Sequence, residues 1–506
     1  MTFGNKIVKS YFFNSFFWSS LSKVLNAIFG FISVPLLLGY FGKAEYGLLS
    51  IATACNGCMH LMDLGMNTGS VKFFSQWEAE GKRDLIQMVS NTNTTFYLII
   101  SVINIVGLII LAWFGEALFS IPHEQFLKLR ICFYILAIFS SVSWITSAYT
   151  QLLTAYKKIA FTMQVNCVLL LFRIALVAIV LIFKLSLIEY FFALTALVAV
   201  AIIPNAVKCR KDGLLDSLKP ATHWKEFRIV LSFSLSIFAL SLFQVLATQS
   251  RPIVLSIFAE KGAEAVADFR IVEVIPQFII MVCGTLVSIF LPKSSEMTVN
   301  CKRDEIQNYV NTWTTRTTIL VCTLCFPFIV ATDEILSAYV GAGNAYLSKW
   351  LQLWCFFLIV QMHSTPAFSF ILAKGKTKVL VIATAIASVL SIIVNICLSF
   401  TIPVGSAIIG YAVYMISLIG VYYIYIYKYY LNFNRLAILK SFLIPLLIGF
   451  VASIIPFGVP MGDVHIFSIE RIDFIVSFII KSLMWFVPYA GLLFLFRVVK
   501  ISDLRR

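Results

Sequence analysis

Charged side chains are scarce in this chain, and their scarcity excludes a soluble protein. Aspartate, glutamate, lysine and arginine make up 12% of the 506 residues, which is about half the share usual in soluble domains. Hydrophobic residues make up 60%, and the mean hydropathy is +0.93. Because no soluble fold could bury so much apolar surface, the sequence predicts an all-α polytopic membrane protein.

Several other classes lack the residues they need. The formal net charge of +15 does not indicate nucleic-acid binding, because the basic residues lie in short clusters between apolar runs. The 11 cysteines include the pairs Cys55 with Cys58 and Cys322 with Cys325, but a zinc site would need further ligands nearby. We therefore expect no metal. The first apolar run has no small-residue cleavage site after it, so it is predicted to be a retained span.

What the chain has instead is a series of apolar runs, each of the length that crosses a bilayer. Such a crossing takes about 20 apolar residues in a helix. We count fourteen runs, at about 12–41, 46–71, 92–114, 130–153, 159–183, 186–207, 229–258, 265–291, 314–339, 348–373, 378–402, 404–427, 438–457 and 473–496.

The layout of the first two runs returns in the second half of the chain. A polar turn at 42–47 separates runs that carry one charge each, and a similar turn follows at 258–264. This repeat predicts two six-helix lobes in a V around a charged central cavity, with an extra C-terminal helix pair. The predicted divisions are an N-lobe at 1–207, a cytoplasmic linker at 208–228, a C-lobe at 229–430 and the helix pair with its tail at 431–506.

Lysine and arginine alternate between dense and sparse loops. Dense loops include 72–83, 157–158 and 208–228, whereas the loops between them hold isolated cations such as Lys43 and Lys184. Cytoplasmic loops carry an excess of basic residues. The pattern predicts a multi-pass protein of a cytoplasmic (inner) membrane with both termini in the cytoplasm.

Charges inside the predicted spans are the candidate functional residues, because a charge at the centre of a span costs about 2.5–3.5 kcal/mol on insertion scales. Lys23 and Asp63 lie on neighbouring spans at similar depth. They either form a structural ion pair or line a hydrated cavity, and the two interpretations are compatible.

The remaining deep charges are Arg173, the Arg270–Glu273 pair and Arg251. Arg173 lies near the centre of its run, and it either meets a carbonyl or carboxylate at a helix contact or faces the cavity. Arg270 and Glu273 are one helical turn apart and can pair locally. Arg251 has no acid nearby in the sequence, so it needs a tertiary partner or a ligand. We predict substrate binding by Lys23, Arg173, Arg251 and Arg270, with Asp63 and Glu273 as coupling or charge-pairing groups.

Cations outnumber acids within the spans, and this balance favours an anionic ligand. Arginine in particular binds phosphate with a planar fork of donors. Arg316 and Lys481 are close enough to a membrane surface to extend their charges to it. His363 lies in an apolar run without a second catalytic group, so we interpret it as a polar helix contact, and no catalytic residue is predicted.

Short motifs in this order resemble the O-antigen flippases of the multidrug/oligosaccharidyl-lipid/polysaccharide exporter superfamily. They are VPLLLG at 34–39, EYG at 45–47, DLGM at 63–66 with Lys72 beyond it, and the basic loop at 157–158. The resemblance implies a flippase that moves undecaprenyl-diphosphate-linked oligosaccharide from the cytoplasmic to the periplasmic leaflet by alternating access. It also implies ion coupling, with H+ or Na+ as the candidate ion and no cofactor. Membrane lipids and the polysaccharide polymerase machinery are the candidate partners, and nucleic acid is not one.

The chain departs from this family in two places. Fourteen predicted spans exceed the twelve of many O-antigen flippases and match the related lipid II flippases, whose extra helix pair forms a groove for the lipid tail. Ser250 also precedes Arg251 where relatives often carry an acid. The alternatives are a small-molecule or cation exporter of the same fold and, further off, a membrane enzyme of polysaccharide assembly.

Overall fold

The chain is helical throughout the part that the structure describes. A computed structural model describes residues 3–215, 218–300, 302–374, 378–458 and 470–498. In the first half the helices are α1 (Phe3–Met59), α2 (Met66–Ala79), α3 (Arg83–Leu118), α4 (His123–Ala155), α5 (Ile159–Phe183), α6 (Leu187–Val200), α7 (Ile202–Lys211), α8 (Trp224–Phe258) and α9 (Gly262–Asn300). The second half holds α10 (Arg303–Val330), α11 (Thr332–Val340), α12 (Ser348–Met362), α13 (Thr365–Ala373), α14 (Lys378–Ser399), α15 (Pro403–Val421), α16 (Arg435–Phe457) and α17 (Glu470–Leu495).

The helices have the length and composition of membrane spans. Within the described ranges, 10 helices are long and apolar enough to cross a bilayer, or 11 if the bent pair formed by α12 and α13 is one span. Each of the fourteen predicted runs lies mostly on helices, and α1 contains the first run and much of the second. Inside α1, Gly42 is the non-helical residue, with a φ of +78°, at the predicted polar turn. The all-helical multi-pass class is confirmed, whereas the count of fourteen spans stays a prediction.

Packing divides the chain at a different place from the predicted lobes. The first compact unit is Met1–Ala267 and the second is Asp268–Arg506. In the first unit, α8 packs against α1, α2 and α3, so the division falls after α8 and not before it. The predicted boundaries at 207 and 228 stay a prediction.

Backbone groups of the predicted linker (208–228) form hydrogen bonds with side chains of α3. Its backbone N–H groups donate to α3 side chains from Lys219 (to Asn91 Oδ1, 3.2 Å), from Ala221 (to Thr95 Oγ1, 2.8 Å) and from His223 (to Thr92 Oγ1, 3.0 Å). The sequence predicts a polar connection here, and the structure adds that polar α3 residues satisfy its backbone, as buried or packed backbone groups require.

The C-terminal helix pair is attached to α10 by an aromatic stack. Trp485 of α17 lies parallel to Phe326 of α10, with 5.0 Å between the ring centroids and an interplanar angle of 7°. The Trp485 indole N–H donates to the carbonyl of Gly449 on α16 at 2.9 Å. Because α10, α16 and α17 meet at one buried ring, the pair is an integral part of the second unit.

Gly65 allows a close contact between the start of α2 and α8, and we expect Gly65→Ala to destabilise the protein. Its φ is +75°, and a Cβ there would lie 2.4 Å from the Ser234 carbonyl oxygen. Gly81 is the matched control, because its φ is +73° and a Cβ would meet nothing within 4 Å. Gly81→Ala should cost about 1–2 kcal/mol of unfolding free energy from backbone strain alone. Gly65→Ala should cost clearly more in thermal unfolding of the detergent-solubilised protein, and equal losses would contradict the contact.

Candidate functional site

Arg173 is a membrane-embedded cation that no acid neutralises in the part of the chain that the structure describes. It lies on α5, half-buried, and interacts electrostatically with Tyr190 of α6. In the described part of the chain no carboxylate pairs with it, and its buried Nε has no hydrogen-bond partner. Arginine presents five N–H groups and no acceptor, so a guanidinium in this state still has a donor to satisfy. The carboxylate contact considered from the sequence is therefore absent over the described residues.

Arg251 and the Arg270–Glu273 pair have different surroundings. Arg251 is 4% exposed on α8 and has interaction partners within the protein. Arg270 forms an ion pair with Glu273 one turn later on α9, and Gln277 donates to the other oxygen of Glu273 at 3.3 Å. The local pairing predicted from the i,i+3 spacing is confirmed, so much of the Arg270 charge is neutralised on its own helix.

Lys23 and Asp63 do not pair with each other among the described residues. The Lys23 side chain is exposed. Asp63 instead accepts a hydrogen bond from the Tyr97 hydroxyl at 2.6 Å and another from the Asn67 backbone N–H at 3.0 Å. The ion pair considered from the sequence is therefore wrong, and Asp63 is held by neutral donors on α2 and α3.

Asp63 lies at a break in the second predicted span, which the sequence did not reveal. The helix changes at His60 to a short 3-10 turn that ends at Asp63. Leu64 and Gly65 then take left-handed backbone angles, with φ of +51° and +75°, before α2 begins. Irregular backbone at membrane depth occurs where protein or a water-filled cavity satisfies it, and transporter sites are commonly built at such helix breaks.

A chain of polar side chains leads away from Asp63 between α3 and α4. The Gln151 amide donates to the Tyr97 hydroxyl, and the Asn93 amide donates to Gln151 Oε1 at 2.8 Å. Tyr97 also stacks on Trp144, with 5.5 Å between the ring centroids. The i,i+4 spacing of Asn93 and Tyr97 places both on one face of α3. This spacing was the signal in the sequence that could have located these hydrogen-bonded side chains.

Two other predictions about intramembrane groups have opposite outcomes. His363 is buried, with Nδ1 2.5 Å from the Val360 carbonyl and Nε2 3.1 Å from the Tyr423 hydroxyl. The predicted polar helix contact is confirmed. Lys481, expected to extend to the membrane surface, instead forms an ion pair with Glu334 of α11, so that expectation was wrong.

The described cysteines and Arg316 are the last of the residues singled out from the sequence. The ten described cysteines are free thiols, and no group of three or more potential metal ligands occurs among the described residues. Arg316 is exposed, and its guanidinium carbon lies 5.1 Å from the Trp313 ring centroid, in the range of a cation–π contact.

One acid near the start of the linker, Asp212, is held by basic residues that the sequence predicts to be cytoplasmic. Lys208 donates to Asp212 at 3.0 Å, and Lys158 lies 3.4 Å from its second oxygen. The Lys208 hydrogen bond, and after it the nearby Lys158 charge, hold the pKa of Asp212 below its usual range. This contact therefore adds stability above the ordinary carboxyl pKa, and the stability is lost as the pH falls.

Comparison with known proteins identifies the family. The family model described as "Polysaccharide biosynthesis protein" matches residues 12–298, which is more than half of the chain. The chain therefore belongs to this family of polysaccharide biosynthesis proteins, and its resemblance to the multidrug/oligosaccharidyl-lipid/polysaccharide exporter superfamily is confirmed. None of the curated proteins compared matches it.

The fold is similar to that of solved membrane transporters. The lipid II flippase MurJ in an inward closed conformation has a TM-score of 0.69 at 16% identity, over 97% of this chain and 99% of that one. An inward-facing multidrug resistance MATE family transporter has a TM-score of 0.63 at 12% identity, over 79% and 92%. The bent form of the Vibrio cholerae MATE transporter VcmN has a TM-score of 0.50 at 14% identity, over 87% and 98%. At these identities the likeness shows the fold.

Proposed function

We propose that the protein is a flippase for undecaprenyl-diphosphate-linked oligosaccharide, an O-antigen or capsule repeat unit. It moves this lipid from the cytoplasmic to the periplasmic leaflet of a bacterial inner membrane by alternating access. The family assignment to polysaccharide biosynthesis and the MurJ-like fold both support a lipid-linked substrate. The expected partners are membrane lipids and the polysaccharide polymerase machinery, and both termini are placed in the cytoplasm.

The observation that carries the proposal is the state of Arg173. An intramembrane guanidinium with a buried Nε that has no hydrogen-bond partner is costly unless something binds it. A diphosphate fits the need, because its oxygens accept paired hydrogen bonds from the planar guanidinium fork. In this proposal Lys23 and Arg251 provide further contacts to the diphosphate, and Arg270 contributes a partly neutralised one.

The main alternative is an exporter of cations or small drugs, since a MATE transporter shares the fold. Such a transporter would need available carboxylates in its membrane interior. Glu273 is neutralised by Arg270 and Glu334 by Lys481, whereas Asp63 is held by neutral donors and keeps its charge. A carboxylate that is already paired offers less to a cationic substrate, whereas Arg173, which no described carboxylate neutralises, offers more to an anionic one. The charge balance of the described residues therefore favours an anion.

A deletion strain tests the proposed function directly. Without the protein, undecaprenyl-diphosphate-linked glycan should accumulate in the inner membrane, because its synthesis on the cytoplasmic face continues while its transfer stops. The accumulated lipid is measured by mass spectrometry of membrane extracts, and re-expression of the intact chain should remove it. A deletion strain with unchanged lipid-linked glycan, but with increased sensitivity to cationic drugs, would favour the exporter.

A further inference from the structure

The turn between α8 and α9 is bound by a single residue of the turn between α3 and α4. The Ser120 backbone N–H donates to the Ser256 carbonyl at 2.8 Å, and its hydroxyl donates to the Ile257 carbonyl at 2.7 Å. The Ser120 carbonyl in turn accepts from the Gly262 N–H at 3.1 Å. Because these partners lie in the last turn of α8 and at the first residue of α9, Ser120 satisfies helix-terminal groups that lack partners within their own helices.

The EYG motif at 45–47 contacts the same turn from α1. A Cβ at Gly47 would lie 1.9 Å from the Ala263 carbonyl oxygen and 2.9 Å from the Ala263 Cα. Only a glycine allows the two backbones to approach so closely. Ala259 and Ala263 are 0% and 4% exposed. The segment 256–263, named here the α8–α9 hairpin, is thus held between α1 and the α3–α4 turn.

Ion pairs connect the helices on which the α8–α9 hairpin rests. Lys128 of α4 pairs with Glu45 of α1, close to Gly47 in the sequence. Arg130 of α4 lies 3.4 Å from Glu116 of α3. These two ion pairs stay among α1, α3 and α4, whereas Ser120 and Gly47 hold the hairpin through neutral groups. The hairpin can therefore leave this surface without breaking either ion pair.

The contact lies where the sequence predicts the two lobes to meet. Gly47 and Ser120 belong to the predicted N-lobe at 1–207, and the α8–α9 hairpin belongs to the predicted C-lobe at 229–430. Packing includes the hairpin in the first compact unit. The contacting segments lie next to turns that the basic-residue pattern predicts to be periplasmic, namely 42–47, 119–122 and 259–261.

We propose that the α8–α9 hairpin is a periplasmic latch, which closes the substrate path when it is docked on Gly47 and Ser120 and opens the path when it is released. The inference rests on the proposed function for the existence of such a path. Alternating access requires the lobes to separate on the side that opens. The latch gives the EYG motif a role in this opening, which is separate from binding of the diphosphate.

The hydrogen bonds of the latch can be exchanged for bonds to water. Glu260 and Lys261 at the tip of the hairpin are exposed, so the groups that Ser120 releases lie close to solvent. Because water replaces the lost partners, each neutral hydrogen bond shifts the equilibrium between docked and released forms by only about two- to tenfold. Three such bonds favour the docked hairpin without fixing it permanently.

Hydrogen–deuterium exchange of the purified protein tests the latch without a substrate. Release exposes the backbone amides of Ser120 and Gly262 to water. Peptides that contain these amides should exchange about two- to tenfold faster in Ser120→Ala, because this variant loses the bond from the hydroxyl. Gly47→Ala should accelerate the exchange of the same peptides further, since its Cβ does not fit against docked Ala263. Ser120→Ala is sufficient if Gly47→Ala does not fold.

Two matched variants control for general loosening of the fold. Gly39→Ala changes a glycine of the same helix as Gly47, but at Gly39 a Cβ would meet nothing within 4 Å. Ser186→Ala changes a serine of another predicted periplasmic turn, whose side chain bonds to Glu189 of its own helix. Neither variant should change the exchange of the latch peptides. Unchanged exchange in Ser120→Ala and Gly47→Ala would overturn the latch.

A removable cross-link then distinguishes a latch from a static contact. In Ser120→Cys/Lys261→Cys the two thiols lie on turns that the bond from the Gly262 N–H holds together. A short bis-methanethiosulfonate joins them, because each thiol displaces a sulfinate and forms a disulfide with the reagent. The linked protein should lose flipping of diphosphate-linked glycan in proteoliposomes, and a thiol reductant should restore it. Glu45→Cys/Lys128→Cys, linked in the same way between α1 and α4, is the control and should flip normally.

The two experiments separate this inference from the proposed function. Undiminished flipping by the linked Ser120→Cys/Lys261→Cys protein would overturn the latch and leave the flippase proposal standing. The opposite result is an intact protein that flips no glycan, although its latch peptides exchange faster in Ser120→Ala and Gly47→Ala. That result would overturn the flippase proposal and leave the latch standing.

Discussion

Arg173→Gln is expected to lower flipping of diphosphate-linked glycan by about tenfold or more while leaving the folded protein unchanged. The substitution removes a charge that no described carboxylate neutralises, so it leaves no buried acid behind. Hydrogen bonds to charged groups contribute about 1.5–3 kcal/mol, which corresponds to about tenfold or more in binding. The measurements are flipping by the purified protein in proteoliposomes and its thermal unfolding in detergent.

Arg316→Gln is the matched control for this prediction. Arg316 is also an arginine at a predicted span, but it is exposed and lies over Trp313, so its loss should alter neither flipping nor unfolding. The flipping rate of Arg173→Lys should lie between those of the wild-type protein and Arg173→Gln, because lysine keeps the charge without the planar fork. If Arg173→Gln lowered the unfolding temperature but left the flipping rate unchanged, Arg173 would be a structural residue. The main support for a diphosphate-linked substrate would then be lost.

The sequence predicts well those features that depend on local composition. Apolar runs of sufficient length specify membrane helices whatever they pack against, so each of the fourteen runs lies mostly on helices. The Arg270–Glu273 pair follows from helix geometry once the helix is assumed. Likewise, a lone buried histidine must find partners on neighbouring backbone and side chains, as His363 does.

The sequence fails where the partner is distant along the chain. Lys481 pairs with Glu334, about 150 residues away, and nothing in the local pattern selects that acid over the membrane surface. Depth alone suggested Lys23 as a partner for Asp63, yet the partner is Tyr97 on α3. The break before α2 was also missed, because Leu64 carries no sequence signal for a left-handed conformation and glycines such as Gly65 are common in membrane helices.

The Glu334–Lys481 ion pair joins the C-terminal helix pair to the rest of the second unit. Glu334 lies in the first turn of α11 and Lys481 near the middle of α17. Their side chains are 11% and 14% exposed, so neither charge is well solvated. An isolated charge in such surroundings is strongly unfavourable, whereas the pair satisfies both partners.

Lys481→Met is expected to lower the free energy of unfolding by about 3–5 kcal/mol, because it leaves the Glu334 carboxylate buried and unpaired. Glu334→Gln should cause a comparable loss by leaving the ammonium group unpaired. Both losses are measured by denaturant unfolding of the purified protein in detergent. Arg471→Gln, an exposed cation at the start of the same helix, is the control and should change the unfolding free energy by less than about 0.5 kcal/mol.

The double variant Glu334→Gln/Lys481→Met decides whether the loss comes from the unpaired charge. With both charges removed, no buried ion remains, so the double variant should be more stable than either single variant. Because each single variant should lose about 3–5 kcal/mol, a double variant that is more stable than either one implies a coupling free energy above about 3 kcal/mol. Simple additivity of the two losses would mean that each side chain acts alone. In that case the aromatic stack around Trp485, and not the ion pair, would be what holds α17 against the second unit.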